Sequence, residues 1–154
     1  MIPRIYRRTP QCGSAAVEFA LILPVLILLI FMGLVLGRLF WHYTVAHKAA
    51  QDAARYMSTV SAQEMRERTL IADAVSVARA IATEELADLK PGPRPPVIDV
   101  LCNNATCNGV GARPLPGTVK VVVQIDFYDT FGYFDLGRYG IPIEGVSEIR
   151  YVGN

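Results

Sequence analysis

The chain has 154 residues, 52% of them apolar, with Lys+Arg 15 against Asp+Glu 14 and a formal charge of +1. That length leaves room for one modest domain beside an apolar N-terminal run. The charge is uneven: Arg4, Arg7 and Arg8 lie in a stretch without acids, so residues 14–154 hold 12 basic against 14 acidic residues, a balance that argues against nucleic-acid binding.

In chain order, the first predicted element is a membrane helix. Residues 19–37, between Glu18 and Arg38, carry no charge and are dominated by Leu, Ile, Val and Phe on every side. As a helix they span roughly 28 Å, close to the hydrocarbon thickness of a bilayer, whereas a soluble helix would keep a polar face. The arginines before it predict a cytoplasmic N-terminus. Pro24 removes a backbone donor and strains the Ala20 carbonyl, so a kink or loosened turn is expected there. Glu18, beside Phe19, stands at the hydrocarbon edge; it is either functional or an acid that keeps its head among the lipid headgroups.

A secretory signal is the obvious alternative for this segment. Its apolar stretch would be shorter and end in a small-residue cleavage site, but here the run ends in Gly37-Arg38-Leu39-Phe40-Trp41. Cys12 precedes the run, which does not fit a lipoprotein signal, so the helix is expected to stay with the mature chain. Gly33 and Gly37 form a G-x-x-x-G pair, read either as a helix-packing face or as ordinary membrane glycines. Arg38, Trp41, His42 and Tyr43 read as the far interface.

From Thr44 the pattern turns amphipathic. Ala46, Ala49, Ala50, Ala53, Ala54 and Met57 recur at three- and four-residue steps. Ser61 with Glu64 predicts a capping box, and so a break near residues 58–61. A second stretch runs through Leu70, Ile71, Ala74, Val75, Ala78, Ile81, Ala82 and Leu86. The Pro-rich segment Lys90 to Pro96 ends helical structure. Strands are expected over Val97–Cys102, Thr118–Tyr128 and Val146–Val152, with only Val122 breaking the alternation of the second. Phe127 to Tyr139, rich in aromatics and glycine, reads as a loop that either contacts partners or folds back on the core.

Cys102 and Cys107 enclose Asn-Asn-Ala-Thr, a turn-forming segment, which favours a local disulfide over free thiols. Zinc would need two further ligands, and the histidines, His42 and His47, lie near the expected membrane edge and about 140° apart around a helix. No metal site, cofactor motif or catalytic constellation emerges, so nothing points to an enzyme. The expected fold is α+β: a long N-terminal helical region packed on a small C-terminal antiparallel sheet.

The segment Gly13-Ser14-Ala15-Ala16-Val17-Glu18-Phe19 resembles the processing site of type IV prepilins, in which a membrane peptidase cuts after the glycine. Its continuation Ala-Leu-Ile-Leu-Pro resembles the TadE-like minor pseudopilins of the tight-adherence (Flp, type IVc) pilus system. The likeness is close over 13–40, looser over 41–60 and architectural beyond. It implies a leader at 1–13 cleaved between Gly13 and Ser14, a transmembrane helix and interface at 14–43, an amphipathic helical region at 44–90, a connector at 91–96 and an extracytoplasmic β-rich domain at 97–154. It further implies a single-pass inner-membrane protein, with the prepilin peptidase, other pilins or pseudopilins, the pilus assembly machinery and membrane lipid as partners. Glu18 and Phe19 would serve subunit registration and processing. A signal-anchored periplasmic binding or sensor module is the alternative of a different class.

Overall fold

The computed structural model describes residues 12–89, 94–109, 114–128 and 140–153, with side chains from Ala15 onward. Most of the expected leader, part of the Pro-rich connector and most of the aromatic–glycine loop lie outside the described residues. The chain divides into two units, one ending at Arg38 and one running Leu39–Asn154.

Helix α1, Cys12–Thr59, runs through Pro24. Within the first unit its apolar residues face outward: Val17, Leu21, Leu28 and Leu34 are all exposed. The helix is long and apolar enough to cross a membrane, and none of its most apolar window is buried. A side-chain surface of this kind is stable in hydrocarbon and costly in water.

In the second unit the same helix has a one-sided core face. Ala46, Ala49, Ala50, Ala53, Ala54 and Met57 are fully buried, as the three- and four-residue spacing predicts. The stripe consists of small residues because the helix lies close on the sheet. A methyl group built on Gly145 of strand β4 (Ile141–Arg150) would sit 2.4 Å from the Ala46 carbonyl carbon and oxygen, and 2.8 Å from the His47 nitrogen.

The end of α1 is closed by the C-terminal residues. The amides of Val152 and Gly153 donate to the Ser58 carbonyl at 3.1 and 3.2 Å, and the Tyr151 hydroxyl donates to the Val60 carbonyl at 2.7 Å. These bonds satisfy carbonyls that a helix terminus otherwise leaves unpaired. The chain then breaks where expected. Ser61 caps helix α2 (Ala62–Arg66): its hydroxyl accepts from the Glu64 amide at 3.2 Å, and the Glu64 carboxylate accepts from the Ser61 amide at 3.0 Å. One break was not expected. Helix α3 begins only at Arg68, after an extended Glu67, and buries Ile71, Ala74, Ala78, Ala82 and Leu86. At this joint Gly109, with φ +81°, comes against the backbone of Arg66 and Arg68. That long-range contact leaves no trace in the local pattern. A 3-10 turn, Ala87–Leu89, ends the helical region.

The sheet has the order β2-β1-β3-β4, antiparallel throughout, with β1 at Val97–Cys102, β2 at Ala105–Thr106 and β3 at Thr118–Phe127. Ile98, Val100 and Cys102 of β1 and Val119, Val121, Val123, Ile125 and Phe127 of β3 build the core face. Val122 points the other way and is still only 8% exposed. It sits at the sheet centre between its register partners Asp99 and Val146, which explains the break in alternation. Strand β4 starts five residues before the expected Val146 and ends at Arg150. Pro142 and Gly145 disguise it in the sequence. A proline is tolerated because β4 is the terminal strand of the sheet among the described residues, and the glycine is required by the close approach of α1.

Candidate processing site and membrane segment

The Gly13–Ser14 peptide lies in the first turn of α1. Glu18 is four residues beyond Ser14, so the two positions share a helix face, and its side chain is exposed. Phe19 is exposed beside it. Gly33 and Gly37 are also one turn apart on a common face. A methyl group added to either would meet nothing within 4 Å, so that face of the single chain is open to a neighbouring helix or to lipid.

At the far end of the apolar run, Phe40, Trp41 and Tyr43 are at least half exposed, which suits rings at headgroup level. His42 departs from the interfacial expectation. It is only 4% exposed, and its ring meets Phe127 edge-on at 5.2 Å and Trp41 at 5.9 Å, so it belongs to the core of the second unit. His47 instead packs on Tyr43 at 4.4 Å. The two histidines therefore serve different surroundings, in keeping with their angular separation. Leu39, Phe40 and Tyr43, with Ile141, Pro142, Ile143 and Glu144, line a shallow groove of about 290 Å³.

At the opposite end of the sheet, Cys102 and Cys107 form the expected disulfide, with Cα atoms 5.1 Å apart. Asn103 and Asn104 have φ values of 51° and 62°, the left-handed conformation that a two-residue hairpin loop needs and that asparagine tolerates. The loop joins β1 to β2, and the Asn103 side-chain oxygen accepts from the amides of Gly117 and Thr118 at 2.9 and 3.2 Å. The bridge is thus built into a hydrogen-bonded hairpin. Among the described residues no His, Cys, Asp and Glu side chains group to hold a metal ion.

Several charged groups beyond the apolar run are engaged in contacts within the fold. Hydrogen bonds from the Ser61 hydroxyl and amide hold the Glu64 carboxyl below its ordinary value. Burial pushes the Tyr151 phenol up, and the Glu64 charge adds to the shift while Arg66 opposes it. Lys48 pairs with Glu85 across α1 and α3, Arg94 pairs with Asp126 at 2.7 Å, and Arg79 donates to the Ile98 carbonyl of β1 at 3.2 Å. Sequence reasoning missed Gly145, Gly109 and the Tyr151–Gly153 closure. Each acts through a contact between segments far apart in the chain.

Compared with known proteins, residues 13–55 match the family model described as TadE-like protein. The match begins at Gly13 and covers the apolar run and most of the buried alanine stripe. No curated protein and no solved structure matches the chain.

Proposed function

We propose that this chain, TadE-like over residues 13–55, is a minor pseudopilin: a structural and assembly subunit of an adhesive tight-adherence pilus, matured by a prepilin peptidase. The TadE-like segment implies work in the tight-adherence pilus system alongside its assembly components. The observation that carries the finer reading is the coincidence of that match with the geometry of α1. A Gly–Ser bond stands at the helix start, a carboxylate stands one turn in, and a long helix follows whose first unit has no side-chain core of its own.

In this reading the three leader arginines hold the N-terminus in the cytoplasm, and the second unit stands outside the inner membrane, where the disulfide persists. Cleavage after Gly13 leaves Ser14 with a free α-amine, positive near neutral pH. The amine of one subunit pairs with Glu18 of a neighbour, which offsets the cost of either charge at the hydrocarbon edge. Gly33 and Gly37 then let neighbouring helices approach. The test is intact-mass analysis and N-terminal sequencing of the membrane-extracted protein, co-expressed with an active prepilin peptidase. A mature chain beginning at Ser14 is expected, and Gly13→Val should block its formation. A chain that still begins at Met1 would overturn the reading and leave a signal-anchored module.

A further inference from the structure

Strand β4 is the terminal strand of the sheet among the described residues, and the ladder fixes where its backbone groups point. The Tyr151 amide donates to the Gly117 carbonyl, one step beyond the register pair Thr118 and Arg150. Bonded and non-bonded positions alternate in an antiparallel pair. Odd-numbered residues of β4 therefore bond to β3, and even-numbered ones turn their N–H and C=O away from it. The far side of β3 agrees, because its even-numbered Thr118 accepts from the Asn103 amide of the β1 side. Pro142, with no N–H, falls in the outward set and costs the ladder nothing. The amides of Glu144, Val146, Glu148 and Arg150 thus line an edge with no strand beside it among the described residues.

That edge lies between two recesses of the second unit. On the helix side, Leu39, Phe40 and Tyr43 of α1 and the start of β4 enclose the apolar groove of about 290 Å³. On the other face, Arg94, Val97, Gln124, Asp126 and Glu144 border a recess of about 420 Å³. Glu144 belongs to both. Arg94 is held by Asp126, whereas Glu144 faces the neutral Gln124 across the strands and has no cation paired with it among the described residues. A strand added at this edge sends alternate side chains to opposite faces, one set toward each recess. We infer that the β4 edge docks an extended segment of another protein, with an apolar side chain entering the groove beside Phe40 and Tyr43 and a lysine or arginine beside Glu144. Main-chain bonds hold such a segment, and the two recesses select its side chains. A second copy of this chain does not fit. The α1 backbone at Ala46 and His47 sits against Gly145, directly over β4. A copy paired edge to edge would bring its own α1 over the adjoining strand about 4.8 Å away, whereas packed helices need about 8–10 Å.

The inference is independent of cleavage at Gly13. Amide hydrogen exchange is followed by NMR on the isotope-labelled full chain in detergent micelles. In the free chain the Val146 and Glu148 amides should exchange fast and those of Ser147 and Ile149 slowly. Slow exchange at all of them would mean that the edge is already covered, and overturns the docking site. The probe is the synthetic peptide acetyl-Thr-Ser-Thr-Ala-Lys-Ile-Thr-Val-amide, written to lie antiparallel with its lysine opposite Glu144. At millimolar concentration it should slow exchange at Glu144, Val146 and Glu148 severalfold and leave the odd-numbered amides as they were. No slowing at these positions overturns the inference. A peptide with glutamate in place of the lysine should bind severalfold more weakly, since like charges directly opposite repel. Glu144→Gln, a change at an exposed side chain, should remove that preference. Equal binding of the two peptides by the parent chain overturns the basic partner.

Discussion

Gly145 sets how near helix α1 can come to the sheet. Its absent side chain is replaced by the backbone of Ala46, and backbone cannot rotate aside as a side-chain tip can. Gly145→Ala is therefore expected to destabilise the second unit by about 1–3 kcal/mol or more, the range for overpacking a filled interior. Chemical denaturation of the detergent-solubilised chain, followed by far-UV circular dichroism, measures it; an unchanged midpoint would mean the helix can lift off the strand at no cost. Gly33 and Gly37 give the opposite case, because nothing lies near them. The same residue type thus marks a buried close approach at one position and an open helix face at two others. Sequence alone separates neither, since a glycine inside a strand and a glycine inside an apolar helix both read first as weak points.

At the scale of elements, legibility follows the range of the forces involved. The alanine stripe, the β3 alternation, the Ser61 capping box and the Asn-Asn turn with its disulfide were all readable, because each is fixed by residues within one or two turns of each other. The extended Glu67 between α2 and α3, the early start of β4 and the burial of His42 against Phe127 were not, because each depends on a segment tens of residues away. The capping box supports a direct test. Ser61→Ala removes the acceptor for the Glu64 amide and should cost about 0.5–2 kcal/mol, as N-cap losses do. It should also weaken a pH dependence, because the hydroxyl bond to the Glu64 carboxylate is lost while the amide bond remains. The folded Glu64 carboxyl sits below its ordinary value of 4.5, so its contribution is present above that value and fades as the pH falls through the folded value. Stability measured from neutral to acid pH should decline less steeply in Ser61→Ala than in the parent. Parallel pH profiles for the two chains would show that the box carries no linked proton.

For the molecule as a whole, the two units have different surfaces and different fastenings. The second unit is closed on itself, since its last residues bond to the end of α1 and its sheet covers the alanine stripe. The first unit is a helix whose side chains have no core of their own, and in lipid its stability is indifferent to which apolar surface it meets. If the chain assembles as proposed, specificity between subunits would come from the few positions that are not generic hydrocarbon: the amine that cleavage would create at Ser14, Glu18, and the open face at Gly33 and Gly37. Glu18→Gln preserves shape and removes charge, so insertion and cleavage should survive while association with partner pilins falls. Glu18→Asp, one methylene shorter, should be intermediate. Leucine at both Gly33 and Gly37 should likewise leave insertion intact and weaken association, by holding the helix backbones apart. Co-purification with partner pilins and surface piliation, scored only for chains shown by mass to begin at Ser14, provide the readout. Normal assembly by a cleaved Glu18→Gln chain would return Glu18 to an interfacial acid without a subunit partner. Normal assembly by the double leucine variant would place the contact on another face of α1.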